Sequence, residues 1–531
     1  MDNKVNNVRY YIIFAIFALL FIVLEFKLFW FAFQDDNIGL ENSFTSDKVI
    51  FRPDIVDRNG KLVASDIQSY SLFAQPNRII NIDETANLLH KVLRHLSTRL
   101  IISRLSHKQS FVWIARNLTS EQKNSIKLLG LPGIGFRMER RRFYPAGSDM
   151  AYIVGYVDVD NKGLSGLEKY IDDNLLDQEQ SQDTFDPKYL DSIKLSVDVR
   201  AQAVVTKILK DSIDKYKAKA AGALIMDVTN GEVLAMNSLP DFDPSNPRQS
   251  LETDRINRMS AGLYEMGSVI KVFTTAMVLD TKKFNLNSIF DATEPLKVGP
   301  GQYIHDFHGK KRPLTLSEVF IYSSNIGSAK EAAAIGLEKH KEFLQNIGLL
   351  SKCITELPEV AKPVYPKKWR SVNSMTIAFG HGLMVTPLQV AAGASAIVNG
   401  GYLYNPTFLL GTKQSPKKVV SESTSNDMVY LLGLNMQKGS GRYANEKYYN
   451  IGGKTGTAEK VENGKYSKDK SFNSFLAVFP VNKPRYIVLT VIDEPHPADK
   501  TVGDTAGYNA APMAVEIINR CANFFKVKPN S

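Results

Sequence analysis

The hydrophobic pattern is densest near the start of the chain. Residues 10–33 read YYIIFAIFALLFIVLEFKLFWFAF, broken only by Glu25 and Lys27. At about 1.5 Å per residue, such a run is long enough to cross a hydrocarbon layer about 30 Å thick. Glu25 and Lys27 lie near one end, where a lysine stem can snorkel, and Trp30 and Phe31 suit an interface. Lys4 and Arg9 precede the run, and Asp35 and Asp36 follow it. The positive-inside rule therefore predicts a cytoplasmic tail over 1–9, a transmembrane helix over 10–33 and the rest of the chain outside. A cleaved signal peptide would have a shorter apolar segment and a small-residue cleavage site, which the sequence does not offer.

Further on the pattern alternates between strand and helix signals. FRPDIVDRNGKLVASD carries an Arg58-Asn59-Gly60 turn between β-rich flanks. A helical period begins at Asn81 and another at Thr119, an N-cap candidate, ending on Gly130. A basic strand follows from Gly135, in which Arg140, Arg141 and Arg142 are expected on a solvated or interface face. A polar, acidic stretch from Asp172 reads as a linker. From about Leu195 the texture changes. A helix is expected over Val199–Lys217, then a hairpin around Asn230-Gly231 whose first arm is apolar on both faces, as a central strand would be. Thr386 and Pro387 open another helix, and FNSFLAVFPV and YIVLTVID read as adjacent strands. Strands at both ends of a region with helices between them predict an α+β domain around an antiparallel sheet.

Composition narrows the function classes. The 531 residues are 44% apolar and 23% charged, which excludes wholesale disorder and fibrous repeats. The net charge of +10 is compatible with nucleic acid, an anionic membrane or an acidic polymer. An extracytoplasmic body makes nucleic acid the poorest of these, and no zinc finger, RNP-type motif or basic zipper is present. Cys353 and Cys521 cannot build a zinc ribbon, and His305 and His308 have no third ligand at metal spacing, so neither a metal nor a cofactor is expected.

The chemistry concentrates in three short segments. In YEMGSVIKVFTTAMVL, Ser268 and Lys271 are spaced to share one helix face, with the helix expected to begin near Ser268. The apolar residues that follow predict burial, which lowers an amine's pKa and lets a neutral lysine act as a base toward serine. The same S-x-x-K spacing at Ser120, Ser212, Ser415 and Ser467 lies in polar surroundings and reads as surface. Ser323-Ser324-Asn325 precedes an alanine-rich helical run. Lys454-Thr455-Gly456-Thr457 lies in an expected strand, where glycine lets a substrate backbone approach and the lysine and threonines suit a carboxylate. S-x-x-K, S-x-N and K-T-G in this order are the motif set of β-lactamases and penicillin-binding proteins.

With these motifs the chain resembles a class B penicillin-binding protein over nearly all of its length beyond the apolar run. FRPDIVDRNGKLVASD and GLSGLEKYID resemble segments of that class's pedestal, and IAFGHGLMVTPLQVAAGASAIVNGG and VLTVIDEP resemble the late part of its transpeptidase domain. The flavour of SSN with KTGT is similar to the septal, cell-division subclass. Met266 departs from the proline usual before Gly-Ser. The resemblance implies an elongated pedestal (dimerisation-type) domain over 34–185 and a transpeptidase domain over 190–527. It implies serine acyl transfer on the D-Ala-D-Ala end of peptidoglycan stem peptides, and acylation by β-lactams. Ser268 would be the nucleophile and Lys271 its base. Ser323 would shuttle a proton to the leaving nitrogen, and Asn325 would orient Lys271 and the substrate amide. Lys454, Thr455, Gly456 and Thr457 would seat the substrate. Partners implied are the membrane, a SEDS-type glycan polymerase and other division proteins, at a bacterial cytoplasmic membrane with the catalytic domain outside. Alternatives are a D,D-carboxypeptidase, a β-lactamase, a β-lactam sensor or a non-catalytic membrane-anchored scaffold.

Overall fold

The apolar run near the N-terminus is helical over residues 15–27, with its side chains exposed. A computed structural model describes residues 15–27, 52–176, 191–444, 448–462, 465–498 and 503–529. The tail over 1–9 and the remainder of the expected span over 10–33 lie outside these residues. Among the described residues no helix is long and apolar enough to cross a membrane. The described residues from Arg52 onward form one compact unit.

Within that unit the N-terminal part is built on β1 (Leu62–Ala74). The turn before it forms because the Asp57 carboxylate accepts hydrogen bonds from the Asn59 and Lys61 amides, each at 2.8 Å. The helical run expected from Asn81 is two helices. α1 (Ile82–Val92) is capped by Asn81, and α2 (Thr98–Leu105) starts anew because the Ser97 hydroxyl accepts from Leu100 N. Strand β2 (Val112–Leu118) follows, then α3 (Ser120–Leu128), which opens on a reciprocal Thr119–Gln122 capping box. β2 and β3 (Ile134–Phe143) both pair antiparallel with β1. Leu72, Leu89, Leu93, Ile101, Leu105 and Ile114 form the small core between sheet and helices.

The arginine run on β3 divides. Arg140 and Arg141 are exposed, as expected, but Arg142 is buried. Its guanidinium donates to Glu168 at 2.7 Å and to Asp66 at 3.2 Å, and Arg52 joins Glu168 from the other side at 2.7 Å. Arg52 also pairs with Asp172, so two arginines meet three carboxylates in a largely water-free cluster.

The C-terminal part begins with α4 (Val199–Tyr216), capped by Asp198. β4 (Ala220–Asp227) and β5 (Val233–Leu239) form the expected hairpin. Further on come α5 (Lys271–Asp280), α6 (Asn325–Ile335), α7 (Pro387–Val398) and α8 (Glu422–Lys438). The chain then returns to the sheet as β6 (Gly452–Glu462), β7 (Lys465–Phe479) and β8 (Tyr486–Asp493), and closes with α9 (Ala510–Cys521). The strand order is β6–β7–β8–β4–β5, antiparallel throughout. Every residue of β4 is buried, as its unbroken apolarity predicts for a strand covered on both faces. One face packs on α4 and α9 through Val205, Leu209, Ala514 and Ile518. Cys353 and Cys521 are both free thiols.

Candidate active site

The structure brings the three motifs together. Ser268 lies in the tight turn Gly267–Ile270 that runs directly into α5, and its side chain is half-exposed. Lys271, first residue of α5, is fully buried, as are the residues after it through Leu279. The apolar sequence dictates this, since α5 has no polar face to turn outward. The Lys271 amine donates to the Ser323 carbonyl at 2.6 Å and to Asn325 Oδ1 at 2.7 Å, and lies 3.1 Å from the Ser323 hydroxyl. Among the described residues no hydrogen bond joins this amine to the Ser268 hydroxyl; the amine rests against the Ser323–Asn325 side.

Ser323 and Asn325 stand at the start of α6. Ser323 is held at φ +58°, a conformation a non-glycine residue adopts at a cost of order 1–3 kcal/mol. The surrounding bonds enforce it. Ser324 caps α6 by accepting from Gly327 N at 2.9 Å, and its hydroxyl donates to Asp306 at 2.8 Å. Asp306 also accepts from Ile326 N at 2.9 Å, and Asn325 Nδ2 donates to the His305 carbonyl at 3.1 Å.

The Lys454–Thr457 segment lies in β6, an edge strand paired only with β7 among the described residues. Gly456 is required by the approach of the nucleophile turn: a Cβ there would stand 2.3 Å from the Met266 carbonyl oxygen. A Cβ on Gly267, at φ +51°, would stand 2.6 Å from the Thr457 carbonyl oxygen. Strand and turn therefore touch backbone to backbone. Lys454 is fully buried and its amine donates to the Ser323 hydroxyl at 3.0 Å. Thr455 Oγ1 is bonded to Ser440 Oγ at 2.5 Å, and exposed Thr457 accepts from Ala506 N at 3.2 Å.

The electrostatics follow from this crowding. Burial, then the neighbouring Lys454 amine, holds Lys271 well below the ordinary lysine range. Burial alone pushes Lys454 down to about 7. Two ammonium groups cannot share one hydroxyl without cost, and Lys271 is the one driven neutral. A neutral amine has two hydrogens, which the Ser323 carbonyl and Asn325 Oδ1 take, and one lone pair, which a base needs.

The three segments that carry the eight residues expected from the motifs thus contact one another. Sequence reasoning missed Asp306, which fixes the start of α6, and Ser440, which orients Thr455. It also missed Glu331, fully buried on α6, which accepts from Thr275 Oγ1 at 3.4 Å. Burial pushes its carboxyl up to about 8. A charge inside an alanine-rich run was the one visible sign of it. Among the described residues no group of side chains could hold a metal ion.

Comparison with known proteins agrees with this geometry. Residues 221–519 match the penicillin binding protein transpeptidase domain, and residues 51–184 match the penicillin-binding protein dimerisation domain. The chain is 35% identical to the "Probable peptidoglycan D,D-transpeptidase FtsI" of Caulobacter vibrioides, covering 98% of this chain and 89% of that protein. It is 30% identical to the peptidoglycan D,D-transpeptidase FtsI of Escherichia coli K12, over 90% of this chain and 84% of the relative. The crystal structure of penicillin binding protein 2X from Streptococcus thermophilus superposes with a TM-score of 0.70 at 20% identity, over 90% of this chain and 80% of that one, which speaks for the fold. With both domains matched in order and these relatives aligned along nearly the whole chain, the protein belongs to the class B penicillin-binding proteins.

Proposed function

We infer that this protein is a peptidoglycan D,D-transpeptidase of the cell-division type, working through a serine acyl-enzyme. The observation that carries this is the buried Lys271 amine, held by Ser323 and Asn325 at the head of the helix that follows Ser268, against the open edge of β6.

A stem peptide lies along β6 as an added strand, its terminal carboxylate on Lys454, Thr455 and Thr457. Ser268 Oγ attacks the carbonyl between the two terminal D-alanines while Lys271 takes the hydroxyl proton. The oxyanion rests on the Ser268 and Thr457 amides, where each donor is worth roughly 3–4 kcal/mol. The C–N bond breaks, and the proton passes from Lys271 through Ser323 to the departing nitrogen. D-alanine leaves and an ester to Ser268 remains. The amine of a second stem attacks that ester, its proton returns to Ser268 Oγ, and a cross-link is formed. β-Lactams enter the same sequence and stop at the ester.

The division of labour along the chain completes the reading. Residues 10–33 anchor the protein as a single span with the N-terminus in the cytoplasm. Their apolarity and the exposed apolar side chains of the helix over 15–27 support this. In chain order the pedestal, 34–185, follows the span and precedes the transpeptidase domain, 190–527. With the span it binds a SEDS-type glycan polymerase and other division proteins at the septum. Arg141, exposed on β3, can join such contacts; buried Arg142 cannot.

The test is intact-mass analysis after penicillin treatment, with peptide mapping. One adduct on Ser268, lasting minutes or longer, is expected, and Ser268→Ala should carry none. Turnover within seconds would assign a hydrolase instead, and an adduct elsewhere would remove Ser268 from the mechanism.

A further inference from the structure

The loop that follows the strand Gln302–Ile304 is clamped onto the catalytic segment at both ends. At one end Asp306 and the His305 carbonyl bind Ser324, Asn325 and Ile326. At the other the Lys310 amine stands 4.7 Å over the ring of Tyr322, the residue before Ser323. Around the clamps exposed aromatic side chains gather. Phe307 is 82% exposed, Tyr303 50% and Tyr322 36%. Single exposed apolar residues are ordinary on protein surfaces. Two aromatic residues on a stretch hydrogen-bonded to the start of α6, with a third just before Ser323, need a reason.

The charges beside them narrow that reason. Lys310 and Lys311 are exposed and have no carboxylate partner among the described residues, whereas neighbouring Arg312 is paired with Glu318 at 2.6 Å. Aromatic faces beside ammonium groups that lack a carboxylate partner suit a ligand that combines apolar C–H faces with carboxylates. A strand of pyranose rings bearing acidic peptides has this composition. The position says which strand. The donor stem lies along β6, and the loop is bound to the Ser324–Ile326 segment, next to Ser323, whose hydroxyl accepts from Lys454 of β6. The second stem must reach the ester from a side the donor leaves free.

We propose that the loop 303–312, with Tyr322, is a docking platform for the glycan strand that carries the acceptor stem. This rests on the transpeptidase reading for its choice of ligand. Sugar rings stack on Phe307 and Tyr303, and Lys310 and Lys311 meet stem carboxylates. Docking raises the local concentration of the acceptor amine without touching acylation.

Binding can be read without chemistry, in the full-length Ser268→Ala protein. The probes are soluble uncross-linked glycan strands bearing stems, and the same stem peptide without sugar. Adding Phe307→Ala should weaken strand binding about fivefold, the order of one lost aromatic contact, and leave bare-peptide binding unchanged. Lys310→Glu should weaken strand binding in a salt-dependent manner. Phe307 is exposed, so the variant should fold, and an unchanged melting temperature verifies this. Equal strand binding with and without Phe307 overturns the platform. So does a Phe307→Ala variant that loses anionic vesicles or a protein partner while keeping strands. Penicillin acylation of the Phe307→Ala protein should stay within about twofold of wild type, and a parallel loss of acylation would also overturn it. Failure of wild-type acylation, by contrast, strikes the transpeptidase reading, while the strand-binding difference still decides the platform.

Discussion

Ser323 Oγ lies 3.0 Å from the Lys454 amine and 3.1 Å from the Lys271 amine, so a single hydroxyl is shared by two buried lysines that cannot both be charged. Each amine has a different task, and the tasks need opposite protonation states. Lys271 must be neutral to accept the Ser268 proton, and Lys454 must be charged to hold a carboxylate.

A bell-shaped pH profile follows for the second-order rate of penicillin acylation, which reports the free enzyme. Activity should fall on the acid side as Lys271 gains its proton, at a pH well below the ordinary lysine range. It should fall on the alkaline side as Lys454 loses its proton, near pH 7. The two steps belong to the pair, so the limbs are macroscopic. Lys454→Arg, with a charge that cannot be titrated away, should keep the acid limb and abolish the alkaline one. An alkaline limb that survives in Lys454→Arg would assign it to another group.

Asn325 supplies one of the two short acceptors that aim the Lys271 amine. Asn325→Ala should leave the fold intact and lower acylation on the order of 10²–10³-fold, the usual span for a displaced general base. Stopped-flow acylation with a chromogenic β-lactam measures this. A loss under about threefold would mean that Ser323 alone positions the amine.

The motifs were legible because each is local. Ser268 and Lys271 are brought together by one turn of chain, Ser323 and Asn325 by a helix start, and Lys454 to Thr457 by one strand. The strands FNSFLAVFPV and YIVLTVID were legible for a similar reason, since unbroken apolarity permits only a covered sheet. What the sequence hid is tertiary. Arg140 and Arg142 share a strand face by alternation, yet one is exposed and the other buried, because Asp66 and Glu168 arrive from remote segments. Asp306 acts only through its contact with α6. The break between α1 and α2 rested on a serine that could as well have sat inside a helix.

The Arg142 cluster gives a test of pedestal stability separate from catalysis. Removing one partner leaves a buried carboxylate uncompensated, a loss of about 3–5 kcal/mol. Arg142→Ala should therefore lower the unfolding free energy by that order, whereas Arg141→Ala, exposed on the same strand, should change it by less than about 0.5 kcal/mol. Urea unfolding of both variants, followed beside penicillin labelling of the folded fraction, separates the effects. Equal behaviour of the two variants would show that the cluster contributes no net stability.

Glu331 makes stability depend on pH in the direction opposite to an ordinary carboxylate. Its carboxyl titrates near 8 in the fold, against 4.5 for an unperturbed glutamate, because burial penalises the charged form. Between those values the folded protein holds a proton that the unfolded chain has released. The unfolding free energy must then fall as pH rises, by about 1.4 kcal/mol per pH unit at most. From pH 5 to pH 8 this is on the order of 4 kcal/mol. Glu331→Gln keeps the shape and removes the titration. The variant should thus gain on the wild type as pH rises; Lys271, whose lowered pKa acts with the opposite sign, is coupled to Glu331, so the difference belongs to the pair. Urea melts of the two proteins at pH 5 and pH 8 give the difference directly. A gap that stays constant would mean that Glu331 is already ionised in the fold, and that Lys271 has a counter-ion across the α5–α6 interface.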